Sequence, residues 1–161
     1  MVLEQFDENK TAVINPWNLI HPVEGMPKVA VGCFARGTFA RMLEELGGGE
    51  VLAESRVANM VIPVFRVTYR GEEAAVFLCD VGAPACVGLI EDIWVMGAET
   101  IVLFGTCGVL DASVGDCSVI IPDCAVRDEG TSYHYAPASD EIAVNPRYTE
   151  EFISSLEQLF G

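Results

Sequence analysis

With 161 residues, 51% of them hydrophobic, and a mean hydropathy of +0.35, the chain can bury one substantial core, which excludes an intrinsically disordered protein. Nine Lys+Arg stand against 24 Asp+Glu, a net charge of -15, so a nucleic-acid backbone would be repelled and nucleic acid is excluded as a partner. The six cysteines form no Cys-x-x-Cys pair and several lie in apolar runs, the pattern of thiols kept in a reducing compartment. Met1 to Lys10 is acidic and lacks the basic start of an export signal, and no apolar run is long enough to span a membrane. The expected location is the cytoplasm, with no membrane partner.

In chain order, residues 1–27 hold Pro16 and Pro22, show no hydrophobic period and read as an arm leading into a single α/β domain over 28–161. Lys28-Val-Ala-Val-Gly-Cys33 reads as a buried strand. Phe39, Met42, Leu43 and Leu46 place one apolar stripe on a helix over Thr38–Leu46, which Gly47-Gly-Gly49 stops. Val64–Tyr69 and Ala74–Cys79, joined by Arg70-Gly71, read as a hairpin. Pro84 lies in the first turn of a helix over Ala83–Met96, striped by Val87, Ile90, Ile93 and Trp94 and ended by Gly97. Thr100–Phe104 is the most strand-like segment, and Ser118–Pro122 reads as another strand. A polar loop over Asp128–Asp140 and a closing amphipathic helix over Thr149–Phe160 follow. Alternating helices and doubly apolar strands predict a mixed, largely parallel sheet covered by helices, with ligands at the carboxyl ends of the strands.

Two loops fall at those ends. Gly32-Cys-Phe-Ala-Arg36-Gly37 joins strand to helix, where backbone N–H groups and the guanidinium could hold an anion; equally, the glycine could only permit a tight turn and the arginine be solvated. Gly105-Thr-Cys-Gly108 lets a backbone approach a ligand and offers the Thr106 hydroxyl; it also reads simply as a loop leaving a central strand. Cys107 has no base beside it in sequence to make it a nucleophile, and His134, between Tyr133 and Tyr135, reads either as an acid/base or as a packed structural residue. No catalytic residue and no metal site follow from the sequence.

Gly32-x-x-x-Arg36, Asp80-Val-Gly-Ala-Pro-Ala85, Val102–Leu110, Val114-Gly-Asp116 and Ala125–Ala136, taken in that order, resemble the purine nucleoside and uridine phosphorylase family over about Lys28 to Pro146. The resemblance implies a three-layer α/β/α sandwich, paired subunits assembled as homo-oligomers up to hexamers, and phosphorolysis of a nucleoside to free base and ribose 1-phosphate. Inorganic phosphate is then a co-substrate, and no other cofactor is implied. It assigns phosphate to Gly32, Arg36 and Thr106, and the ribose and base side to Val81, Cys107 and Gly108. Three departures accompany it. Leu103 stands where the family carries a second phosphate-binding arginine, the arginine lent across the dimer aligns near Ala58, and His21 does not match the histidine that reaches a neighbour's ribose. The family's base-reading and ribose-binding carboxylates lie in a part beyond Gly161. Two alternatives therefore accompany phosphorolysis: hydrolysis by a nucleosidase, or a non-catalytic truncated chain acting in assembly or binding.

Overall fold

The computed structural model describes residues 5–57, 59–115 and 119–160. They pack as two compact units, one of Asn9–Cys107 and one of the described residues on either side of it. Residues 9–27, expected as an arm, belong to the first unit. Its N-terminal stretch makes a short 3-10 turn at Pro16–Asn18, secured by the buried Asn15, and Val23 donates its amide to the Met96 carbonyl at 2.9 Å.

The first unit is built on five strands: β1 (Val29–Cys33), β2 (Glu50–Val57), β3 (Met60–Tyr69), β4 (Glu72–Leu78) and β5 (Thr100–Phe104). They lie in the order β2-β3-β4-β1-β5. β1 pairs parallel with both β4 and β5, while β2, β3 and β4 form an antiparallel meander. Helix α1 (Arg36–Glu45) follows β1, and helix α2 (Ala83–Met96) links β4 to β5. Alternation along the strands sorts side chains to two faces. On one, Ala30, Val64, Ala75 and Phe77 pack with Leu89, Ile93 and Met96 of α2. On the other, Cys33, Val67 and Val76 pack with Phe39 of α1, whose ring lies 6.1 Å from that of Phe65. The result is a helix–sheet–helix sandwich.

The expected elements of this unit are present, with two differences. The hairpin turns at Arg70 (φ +52) and Gly71 (φ +87), both left-handed as a two-residue connection between twisted strands requires. β2, not anticipated, adds an edge strand whose fully buried residue is a polar one, Ser55; its hydroxyl donates to the Asp92 carboxylate on α2 at 2.6 Å. β3 begins at Met60 rather than Val64. Its pairing with β4 starts at Val64, so Pro63 lies where the strand has β2 alone beside it and its missing N–H interrupts no second ladder.

The second unit holds the short antiparallel pair β6 (Cys124–Val126) and β7 (Glu141–Ala143), a 3-10 turn at Ser132–His134, and helix α3 (Pro146–Phe160). The strand expected over Ser118–Pro122 is not formed. Ser118 lies outside the described residues, and 119–122 is irregular, with Val119 and Ile120 exposed and Pro122 unable to donate to a ladder. The polar loop between β6 and β7 is organised around Arg127, which is 5% exposed. Its guanidinium donates to Ser132 Oγ (2.9 Å), Ser139 Oγ (2.8 Å) and the carbonyls of Ala136 and Pro137, and lies 4.2 Å from the centre of the Tyr133 ring.

Candidate functional site

β4, β1 and β5 are adjacent and parallel, so the loops leaving their carboxyl ends emerge at one edge of the sheet. Backbone bonds extend the pairing past the strands: Phe34 donates to the Phe104 carbonyl at 3.0 Å, and Cys79 to the Cys33 carbonyl at 2.8 Å. The edge thus gathers the β1–α1 turn, the β4–α2 turn and the start of the loop after β5. A Cβ on Gly105 would come within 3.1 Å of Phe34 Cβ, so a larger residue there would push two of these turns apart.

Arg36 occupies the first position of α1. It is exposed and makes no hydrogen bond or ion pair with a described residue. No side chain caps the N-terminus of α1 or of α2, where Gly82 takes φ +112 before Ala83-Pro84. Two helix N-termini therefore present unsatisfied N–H groups and positive dipole ends at this edge. Thr106 and Cys107 are exposed in the loop after β5, and Val81, between β4 and α2, is 83% exposed. Cys107 is thus a surface thiol rather than a buried one.

Gly32 is placed differently from a loop glycine. It is the fourth residue of β1, in register with Phe77 of β4 and Leu103 of β5. A Cβ there would stand 2.7 Å from both the Phe77 ring and Leu103 Cδ2, which explains the glycine by packing. Leu103 is half-buried against the α2-side core, so an aliphatic side chain fills the position at which the resemblance expects a cation. Gly108 opens the second unit and is described with it. Ala58 and Asp116 lie outside the described residues. His21 is exposed in an open groove with Trp17 and Trp94, whose rings meet edge to face at 6.4 Å. His134 is exposed in the second unit.

A thiol pair spans the β4–α2 turn, a juxtaposition that sequence spacing did not single out. Cys79 Sγ and Cys86 Sγ are 3.6 Å apart. Their shared hydrogen bond draws the Cys86 thiol down to about 7, against the opposing effect of burial, and with burial drives the Cys79 thiol well above the ordinary range. Cys86 is therefore the more acidic thiol. Between them, one oxygen of the Asp80 carboxylate is shielded from solvent without a hydrogen-bond partner among the described residues, and its charge disfavours both thiolates.

A layered α/β/α fold with a parallel strand-end edge, unpartnered N–H groups and a free guanidinium defines a class of protein that can hold an anionic ligand at that edge. The chain belongs to the phosphorylase superfamily, whose family model matches residues 28–159. It is 26% identical over 99 residues to a guanosine phosphorylase of Halorubrum lacusprofundi, covering 62% of this chain and 39% of that protein. It is 29% identical over 91 residues to a uridine phosphorylase of Thermococcus kodakarensis, covering 56% and 33%. Among solved structures, uridine phosphorylase from Vibrio fischeri superposes with a TM-score of 0.70 at 21% identity, over 94% of this chain and 61% of that one. Purine nucleoside phosphorylase from Toxoplasma gondii in complex with immucillin-H does so with 0.70 at 20% identity, over 87% and 57%. The chain thus spans a third to two-fifths of the curated relatives and about three-fifths of the structural ones.

Proposed function

We propose that this chain carries the phosphate and ribose side of a nucleoside phosphorylase, a glycosyltransferase acting on a purine or pyrimidine nucleoside with inorganic phosphate as co-substrate and no other cofactor. The observation that carries the reading is the unpartnered Arg36 at the uncapped start of α1, beside the parallel ends of β1 and β5. Phosphate held there by Arg36 and Thr106 would lie under C1′ of a ribose flanked by Val81 and Cys107. Cleavage breaks the C1′–N bond and forms a C1′–O bond to phosphate. The rate gain comes from positioning the anion and offsetting the positive charge that develops on the ribose.

The acidic composition supports a setting without nucleic-acid partners and the cysteine usage a cytoplasmic one; among the described residues no helix is long and apolar enough to cross a membrane. Family membership supports a homo-oligomer built from dimers, up to a hexamer.

Base release measured with and without phosphate tests this reading. Strict dependence on phosphate, with ribose 1-phosphate as product, is the expected result; equal release with ribose as product contradicts it. That second outcome is the nucleosidase reading, which the aliphatic packing of Leu103 favours by removing one cation. No turnover with retained phosphate binding identifies a non-catalytic binding or assembly chain.

A further inference from the structure

We propose that Cys79 and Cys86 form a redox-responsive dithiol, and that its oxidation to a disulfide staples the β4–α2 turn around Val81. The sulfurs stand 3.6 Å apart on two fixed supports. Cys79 follows β4 and is anchored by its amide to the Cys33 carbonyl; Cys86 lies in the first turns of α2, its amide bonded to the Gly82 carbonyl at 2.9 Å. A disulfide needs about 2.05 Å between sulfurs, a closure of roughly 1.5 Å that rotation of the two Cα–Cβ bonds can supply. Among the described residues no other two thiols are in contact, and the exposed Cys107 and Cys124 have no such neighbour.

The two thiols differ in a way that assigns their order of reaction. Cys86 is half-buried and reachable, lies near the positive end of α2, and is the more acidic; Cys79 is 3% exposed. The Cys86 thiolate attacks a small-molecule disulfide such as oxidised glutathione, forming a mixed disulfide and expelling one glutathione thiolate. Once Cys86 is so engaged, the hydrogen bond that chiefly holds the Cys79 proton is gone. Cys79 then passes its proton to solvent, attacks Cys86 Sγ and expels the second glutathione. The protein dithiol loses two electrons and two protons, and one glutathione disulfide becomes two thiols.

The consequence is local. The staple closes a ring through Asp80, Val81 and Gly82, the last at φ +112, and fixes the only segment between β4 and α2. The inference rests on this geometry alone and stands whether or not the edge binds phosphate.

The test treats the folded protein with oxidised glutathione, blocks remaining thiols, and digests it with trypsin and a protease cutting before aspartate. The cuts after Arg70 and before Asp80 and Asp92 separate Gly71–Cys79 from Asp80–Glu91, so only a disulfide can keep them together. The expected product is that linked pair, two hydrogen masses lighter than the sum of its thiols. It should be absent in Cys86→Ser, and in protein oxidised while denatured it should be accompanied by other cysteine pairings. Amide hydrogen exchange over residues 81–85 should slow about tenfold on oxidation and recover with dithiothreitol. A stable mixed disulfide on Cys86, preferential pairing of either cysteine elsewhere, two alkylated thiols, or a linked pair with unchanged exchange would each overturn the proposal. The wild-type chain alone gives these readouts, so a variant that fails to fold leaves them intact.

Discussion

Gly32 and Leu103 are register partners on neighbouring parallel strands, and a Cβ added to Gly32 would meet Leu103 Cδ2 and the fully buried Phe77 ring at 2.7 Å. Leucine end atoms can rotate away; the ring, packed on all sides, cannot. Gly32→Ala should destabilise the fold by about 1–3 kcal/mol. Adding Leu103→Ala should recover part of that loss, so the double variant is more stable than the sum of the two single losses predicts. Urea midpoints of the four proteins measure this coupling; strict additivity would show that the side chains do not share the space.

Ser55 is fully buried and donates to the Asp92 carboxylate, a polar link between the edge strand β2 and helix α2. Ser55→Ala leaves that carboxylate oxygen without its donor and should cost about 1–3 kcal/mol, read as a lower denaturation midpoint with an unchanged m value. A change below about 0.5 kcal/mol would mean that water replaces the hydroxyl.

In the second unit, Arg127 binds four acceptors through a planar fork while stacking on Tyr133. Lysine keeps the charge but has neither the fork nor the plane, so Arg127→Lys should speed amide exchange across residues 128–140 nearly as much as Arg127→Met. Full protection in the lysine variant would reduce the role of Arg127 to charge alone.

Glu129 accepts from the amides of Thr131 and Ser132, and hydrogen bonding, first with the Ser132 side chain and then with these amides, holds its carboxyl below the ordinary carboxylate range. Because the folded value is depressed, this contribution is fully present above the unfolded value and is lost as pH falls through the folded one. Acidification should therefore loosen the turn at Ser132–His134, and Glu129→Gln should flatten that dependence in amide exchange. An identical pH profile in wild type and variant would contradict this.

Legibility followed burial chemistry. Thr100–Phe104 and Ala83–Met96 were recognisable because apolar patterning coincided with punctuation by Pro84, Gly97 and Gly105. Arg70-Gly71 likewise announced its hairpin. β2 was hidden because its fully buried side chain is a serine and three of its residues are charged, as suits a strand at a sheet edge. The signal was present as Val51, Ala53, Ser55 and Val57 at alternate positions, although an irregularity in pairing between Val51 and Ala53 blurs it. Val119–Pro122 misled in the opposite direction, being apolar without a partner strand among the described residues. At the site, the neighbouring turns followed from the order of strands and loops. The Cys79–Cys86 contact did not, because a spacing of seven brings two thiols together only when a strand end turns directly into a helix.

The central claim, an anion site at the β1/β5 edge built around Arg36, is tested most directly by calorimetric titration of inorganic phosphate into wild type, Arg36→Met and Arg147→Met. Arg147 is a control: it is paired with Glu151 on the exposed surface of α3. Losing a charge-assisted contact of about 1.5–3 kcal/mol should weaken phosphate binding about tenfold to a hundredfold in Arg36→Met and leave Arg147→Met unchanged. Equal affinity in wild type and Arg36→Met, or no binding by any of the three proteins, would contradict the assignment.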